Sequence, residues 1–306
     1  MISSLNASAQ QFLVDLGRIQ KTIGTAEQQL SSGCKVNSPS DAPDQISSIL
    51  QLYADLDRNT QVKSNLGRLT AETGTAEQSL QTAVQLMDRA KVLASQGAGT
   101  AQSADTRASL AGEVGSLMDQ LVAISNTVVD NRYIFGGDAD QAPPYASDPA
   151  SPNGVDRLTT ALASRQILHP SGTSFAASKT AQEIFDSRNP DDSLATDNVF
   201  AAVHGLQVAL AGNDQAGIAS SLAALGSAED RLNIQLAFYG TVQDKIADAN
   251  DYAGKLDVRL QTELSSRRDA DAVEAITELQ RGQTQQQAAL TARAQLPRSS
   301  LFDFLK

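Results

Sequence analysis

Residues 1–33 read MISSLNASAQQFLVDLGRIQKTIGTAEQQLSSG, and apolar side chains recur along them in alternating steps of three and four. These positions, which we call seam 1, are Ile2, Leu5, Ala9, Phe12, Leu16, Ile19, Ile23, Ala26 and Leu30. Such a 3.5-residue repeat is typical of the narrow seam of a coiled coil rather than the wider face of a helix buried in a globule. An isolated helix is marginally stable in water, so seam 1 predicts a helix that needs a partner.

Similar repeats follow along the chain and predict further helices. The second consists of Leu66, Leu69, Thr73, Ala76, Leu80, Ala83, Met87, Ala90 and Ala94. The third consists of Leu110, Val114, Leu117, Leu121, Ile124 and Val128. Near the C-terminus, Ile276, Leu279 and Leu290 share a last register, in which Gln283 and Gln286 fill the other positions. Those glutamines either set the register between neighbours or mark a partly exposed stretch.

The middle of the chain has a different texture. Residues 135–154 read FGGDADQAPPYASDPASPNG and are rich in turn formers, which excludes a helix. Residues 157–178 alternate weakly and contain β-branched side chains, which favours short strands. We therefore predict a mainly α fold: a long antiparallel helical bundle or coiled coil built from both chain ends, with a small β-rich insert in the middle.

Helix-breaking residues in the sequence predict three domains. The connector LSSGCKVNSPSDAPD, residues 30–44, contains Gly33, a natural residue to end a helix, and two prolines. We expect a terminal coiled-coil domain from residues 1–38 and 271–306. Residues 39–135 and 198–270 are predicted to form a helical rod, and residues 136–197 an outer insert.

Composition excludes several classes of function. The formal net charge is −11 with no basic stripe, so nucleic-acid binding is not expected. No apolar run approaches the roughly 18–20 residues of a membrane span, so membrane insertion is not expected either. Aromatic residues make up 4% of the chain, so small aliphatic residues and leucine are predicted to provide most of the packing.

The residue inventory also predicts no active site. Cys34 is the single cysteine, and His169 and His204 lie far from it in sequence without a ligand spacing. No nucleophile elbow of the form G-x-S-x-G is present. We therefore expect no catalytic residue, no cofactor and no metal ion.

Three segments carry a resemblance to a known family. LSSGCKVNSPSDAPD resembles the junction between terminal helix and rod in the flagellin superfamily. NRYIFGGDADQAPPY, residues 131–145, resembles the end of the rod helices in the branch whose members join the flagellar hook to the filament. RDADAVEAITELQRGQTQQQAALTARAQLPRSSLFDFLK, residues 268–306, resembles the C-terminal helix of that branch. The likeness covers residues 1–140 and about 195–306.

The resemblance implies a structural role in the bacterial flagellum, outside the cell. It implies polymerisation through terminal helices that order on assembly, and contact with an adjoining hook-associated protein and with flagellin. It also implies export without a cleaved signal peptide and an export chaperone at the C-terminal helix. The expected assembly interface is Ile2, Leu5, Phe12, Leu16, Ile19, Ile23, Leu30, Ile276, Leu279, Leu290, Leu301, Phe302, Phe304 and Leu305.

Three alternatives remain at this stage. The chain could be a flagellin that builds the filament itself, although NRYIFGG and the Leu/Phe-rich ending argue against that. It could be a cytoplasmic coiled-coil scaffold, which predicts a stable helical dimer in solution. Least favoured is an enzyme with an unrecognised site in the insert at residues 136–197.

Overall fold

The computed structural model describes residues 2–295, in which three helices are followed by six short strands and then by four more helices. The helices are α1 (Ile2–Ser32), α2 (Ile46–Gly97), α3 (Ala104–Ser125), α4 (Ala181–Phe185), α5 (Val199–Ala211), α6 (Gln215–Arg268) and α7 (Ala272–Gln295). The strands are β1 (Val128–Val129), β2 (Arg132–Tyr133), β3 (Tyr145–Ser147), β4 (Val155–Arg157), β5 (Gln166–Leu168) and β6 (Ser174–Ala176). The predicted mainly α architecture with a central β-rich insert is confirmed.

The chain divides into two compact units. Unit 1 comprises residues 1–59 and 255–306, and unit 2 comprises residues 60–254, so α2 and α6 contribute to both. The domain boundaries that we predicted near residues 38 and 270 differ from these. They lie in the connectors that join α1 to α2 and α6 to α7. The three-domain division therefore stays a prediction.

Unit 2 has a main hydrophobic core that the helices share with the insert, and a smaller apolar cluster that includes Leu66, Leu69 and Ile246. The second sequence repeat is buried along its whole length, and Leu80, Ala83, Met87 and Ala90 are fully covered. Aromatic rings fill the centre: Phe135 meets Phe185 at 5.9 Å and Tyr239 at 6.3 Å between ring centroids. Around these rings the core consists mostly of alanine, leucine and valine, as the prediction of packing by small aliphatic residues and leucine requires. Edge-to-face geometry of this kind adds stability beyond the area that is buried.

Three separate antiparallel hairpins make up the β structure of the described residues: β1–β2, β3–β4 and β5–β6. The first hairpin turns through Asp130 and Asn131, both with positive φ, as a two-residue hairpin turn requires. It begins at Val128, which we had predicted to be the last position of a helical repeat. The helix ends sooner because Asn126 caps α3 and its side chain binds the backbone of Tyr145.

A buried carboxylate ties the insert to the helices of unit 2. Asp186 is fully buried and accepts hydrogen bonds from Tyr145 Oη at 3.1 Å and from Arg188 Nε at 2.9 Å. Its other oxygen accepts from Asn153 Nδ2 at 3.0 Å and Asn198 Nδ2 at 2.8 Å. Burial and the nearby charge of Asp186 raise the pKa of Tyr145 well above its usual value, so the phenol remains a donor. Removal of the carboxylate would take this acceptor from Tyr145 and Asn153, whereas Asn198 Nδ2 also donates to Ser187 O at 3.0 Å.

We expect Asp186→Asn to lower the free energy of unfolding of unit 2 by about 3 kcal/mol, because the buried network loses its negative charge and a donor amide replaces one of the two acceptor oxygens. Denaturant unfolding followed by circular dichroism measures this change. The matched control is Asp192→Asn, which removes a largely exposed partner of Arg157 and should cost less than about 1 kcal/mol. Equal effects of the two substitutions would contradict the structural role of Asp186.

Candidate assembly surface

The two ends of the chain form an antiparallel helix pair in unit 1. The Cα atoms of α1 and α7 come within 8 Å of one another, so the helices are closely packed. Between residues 9 and 30 of α1, the side chains that are at least half-covered are those of seam 1 together with Gln29. Seam 1 therefore has a partner within the same chain, where the sequence analysis had placed a neighbouring subunit.

The covered line on α7 differs from the predicted one. It consists of Ala275, Glu278, Leu279, Gly282, Gln286 and Ala289. Ile276 and Leu290, which we had placed in the same register as Leu279, are 46% and 50% exposed. Ala275 and Ala289, the neighbours of Ile276 and Leu290 in sequence, are covered instead.

Two contacts mark the alignment of the pair. A Cβ placed on Gly282 would lie 2.7 Å from Cγ1 of Ile23, so only glycine fits there without movement. Eleven residues further along α7, the guanidinium of Arg293 lies 5.6 Å from the ring centroid of Phe12, which is eleven residues earlier in α1. Such a cation–π contact is attractive.

The connectors at the base of the pair bind each other through their backbones. Cys34 and Asp269 form an isolated antiparallel bridge. The Lys35 amide donates to Arg268 O at 2.8 Å, and the Ala270 amide donates to Gly33 O at 2.9 Å. Gly33 ends α1 with a φ of +71°, a conformation that glycine adopts without strain. The end of α1 and the start of α7 are thereby held side by side.

Side chains reinforce this junction. Arg268 donates to Tyr53 Oη at 2.9 Å and to Asp269, and these two bonds raise the pKa of its guanidinium. Asp41 accepts from the backbone amides of Ser38 at 2.7 Å and Asn37 at 2.9 Å. Those bonds lower the pKa of the Asp41 carboxyl, and hydrogen bonds from Ser265 and Arg268 lower that of Asp269.

A cleft of about 480 Å³ opens in unit 1 beside the junction. Its cationic residues are Arg18, Lys21 and Lys35, and its acidic residues are Asp271, Glu274 and Glu278. Among residues 2–295 no ion pair joins the two groups, and Glu278 pairs with Arg281 instead. The cleft thus presents opposite charges that are open to a polar partner.

The remaining predicted interface residues fall into three groups. Phe12, Leu16, Ile19, Ile23 and Leu30 lie half-buried on the line that faces α7. Ile2 and Leu5 belong to α1, but their side chains lie outside the described set. Leu301, Phe302, Phe304 and Leu305 lie outside the described residues altogether.

Sequence reasoning missed other exposed apolar residues on the same pair. Leu13 and Val14 on α1 are 64% and 58% exposed, and Val273 on α7 is 74% exposed. They stand outside the 3.5-residue repeat, so the periodicity gave no signal for them. These residues and Ile276 form the apolar part of the surface that the pair leaves uncovered.

A depression of about 840 Å³ in unit 2 holds charged groups that are already engaged. It lies at the insert and includes Glu183, Asp197 and Arg231. Glu183 binds Lys179 and the backbone of Thr180, and Asp197 binds Arg231 at 2.6 Å. Within residues 2–295, no group of three or more His, Cys, Asp and Glu side chains is placed to hold a metal ion. None of the helices in that range is long and apolar enough to span a membrane.

Comparison with known families accounts for the helical ends. The model of the bacterial flagellin N-terminal helical region matches residues 3–140, and that of the bacterial flagellin C-terminal helical region matches residues 222–305. Together they cover well over half of the chain. The chain belongs to the bacterial flagellin family. The α1–α7 pair is therefore built from the two helical regions that define flagellins.

Individual flagellin-family relatives are also similar to this chain. Flagellar hook-associated protein 3 of Escherichia coli K12 is 30% identical over 197 residues, 60% of this chain and 58% of that protein. Its counterpart in Salmonella typhimurium LT2 is 29% identical over 201 residues, 61% of each chain. The chain thus spans about three fifths of the length of the curated relatives it matches.

Solved structures share the fold. A Vibrio parahaemolyticus protein assigned as a flagellar hook-associated protein superposes with a TM-score of 0.64, covering 75% of this chain and 100% of its own at 17% identity. FlgL of Xanthomonas campestris gives a TM-score of 0.58 over 71% of this chain and 99% of its own, also at 17% identity. At this identity the likeness establishes the fold alone.

Acid should destabilise the two connectors at the base of the terminal pair. Asp41 and Asp269 have pKa values below the ordinary 3.8, so the native state keeps them ionised where the unfolded chain takes up protons. Their contribution to stability is present above about pH 4 and is lost as the pH falls through the depressed values. Thermal unfolding between pH 6 and pH 2.5 should show a flatter pH dependence for Asp41→Asn than for the parent. Parallel curves would contradict this assignment.

Charges placed on seam 1 should separate the terminal pair. Ile19→Asp with Ile23→Asp puts two carboxylates against α7, which costs several kcal/mol, on the order of the penalty for burying unpaired charge. We expect circular dichroism to lose the helical signal of α1 and α7 while unit 2 keeps its unfolding midpoint, and self-assembly to stop. The control, Leu13→Asp with Val14→Asp, changes exposed neighbours and should leave the helical signal intact. Normal assembly of the first variant would refute the assignment of seam 1.

Proposed function

We propose that this flagellin-family chain is a structural subunit of the bacterial flagellum that joins the hook to the filament and polymerises through its terminal helices. The observation that carries the proposal is the coincidence of two findings. Both helical ends match the flagellin regions, and the relatives that share about three fifths of their length with this chain are hook-associated proteins rather than filament proteins.

The distribution of charge supports assembly through unit 1. Residues 1–59 and 255–306 carry 13 acidic and 12 basic side chains, whereas residues 60–254 carry 22 acidic and 12 basic ones. Nearly neutral units can pack densely without the repulsion that the net charge of −11 would otherwise impose. We infer that copies meet through unit 1.

The contact between copies would use the uncovered faces of the terminal pair. Val14, Val273 and Ile276 supply apolar area at about 25 cal/mol per Å², and the charged cleft adds complementarity. A head-to-tail contact that does not close generates a helical array. Adjoining hook-associated protein and flagellin would occupy the equivalent faces at the two ends of such an array.

Two finer proposals concern delivery. The exposed apolar residues of α7 fit an export chaperone that covers the C-terminal helix before assembly. We also propose export to the cell exterior without a cleaved signal peptide. We propose no catalytic role, because the charged side chains in the depression at the insert form ion pairs with their neighbours.

Two other functions are tested by the same experiment. A filament-building flagellin is favoured by the match to the flagellin regions themselves, and a cytoplasmic scaffold by the long helices α2 and α6. Immunogold labelling of intact cells separates the three. We expect a narrow band at the base of each filament; label along the whole filament indicates flagellin, and absence of surface label indicates a scaffold.

Deletion provides the matching phenotype. Cells without the chain should retain hooks, lack filaments and release flagellin into the medium, and a plasmid copy should restore filaments. A deletion strain that keeps normal filaments would contradict the proposed function.

A further inference from the structure

Hydrophobic burial alone leaves the alignment of α1 against α7 undetermined. The seam 1 residues Leu16, Ile23 and Leu30 are seven apart and all aliphatic, as are the two seam positions between them, Ile19 and Ala26. Sliding α1 along α7 by seven residues would again place apolar side chains against the small residues of α7. Repeats of this kind need a specific device to select one register from its alternatives.

Two contacts do distinguish the observed register from a slipped one. Ile23 occupies the notch at Gly282, and Phe12 lies under Arg293. Phe12 is the single aromatic residue in residues 1–33, so a slip leaves Arg293 over an aliphatic side chain. The same slip brings Leu16 or Leu30 to Gly282, and leucine carries its branch at Cγ instead of Cβ.

The spacing makes these contacts parts of one device. In each helix the two contact residues are eleven positions apart, which corresponds to about 16 Å along an α-helix. Both contacts are therefore satisfied together in a single antiparallel alignment. The connector bridge between Cys34 and Asp269 lies beyond them at the base of the pair and agrees with that alignment.

We propose that Ile23–Gly282 and Phe12–Arg293 set the register of the terminal pair and reject slipped pairing. These are positioning residues, and their importance for polymerisation rests on the proposed function. A fixed register decides which exposed residues, such as Val14 and Val273, a second copy of the chain meets at one level. A slipped pair would present a different surface and would not continue the array.

Disulfide trapping in the purified full-length chain tests the register directly. With Cys34→Ser as background, Ile19→Cys is combined either with Gln286→Cys, which reports the native register, or with Leu279→Cys, which reports a slip of seven residues. Ile19, Gln286 and Leu279 all lie half-covered on the facing lines. Cross-linking requires Cα atoms within about 7 Å, which close packing allows in one register at a time. We expect the native reporter to cross-link and the slipped reporter to remain reduced.

Filling the notch should then disturb the register. Gly282→Ala is expected to lower the cross-linking rate of the native reporter by about tenfold, because the added methyl group overpacks the contact with Ile23. Ile23→Ala in the same chain should restore it, since the clashing Cγ1 is removed. The matched control is Gly24→Ala, where a Cβ meets nothing within 4 Å and the native rate should be kept.

The second contact has its own pair of variants. Arg293→Gln should reduce the ratio of native to slipped cross-linking by about threefold, as expected for loss of an exposed cation–π contact. Arg281→Gln is the control, because Arg281 is exposed and pairs with Glu278 on its own helix. It removes the same charge from α7 and should leave the ratio unchanged.

Several outcomes would overturn the proposal. These are equal cross-linking of both reporters in the parent, no cross-linking of the native reporter, an unchanged rate in Gly282→Ala, or no recovery with Ile23→Ala. The readout is alignment within a purified chain, whereas the proposed function is read from label position on cells. The register proposal can therefore be contradicted while the proposed function is supported, and the reverse.

Discussion

The backbone bridge between Cys34 and Asp269 is the constraint on which unit 1 depends. It joins the two connectors, so the end of α1 and the start of α7 lie side by side. Seam 1 packs against α7 of the same chain, and the alanine and glycine residues on α7 let the two helices approach closely. The apolar residues left outside the seam become the surface available to other molecules.

Periodicity predicted the helices well because a 3.5-residue apolar repeat has few other physical explanations. It placed the buried face of α2 correctly at Leu80, Ala83 and Met87. It misplaced the covered line of α7, since alanine and glycine carry little hydrophobic signal although they decide how closely two helices pack. Asp186 could not be found from sequence, because three of its partners, Tyr145, Asn153 and Asn198, lie 12 to 41 residues away along the chain.

The two units solve different physical problems. Unit 2 buries an aromatic cluster around Phe135 and Phe185 and anchors its insert on an internal carboxylate, so its stability comes from densely packed, fully buried side chains. Unit 1 has few fully buried side chains and leaves apolar residues such as Leu13 and Val273 in solvent. A surface of this kind is suited to association, and the near balance of its charges removes an electrostatic obstacle.

The pairing of α1 with α7 also has a consequence for timing. Ile23 and Gly282 are separated by most of the chain, so their contact closes a very large loop and carries a high entropic cost. Unit 2 consists of a continuous segment and can mature earlier. If a chain emerges with its N-terminus first, α1 lacks its partner helix α7 until nearly all of the other residues have emerged. Pairing of α1 with α7 would then occur only in full-length molecules, and only these would present the paired surface to other molecules.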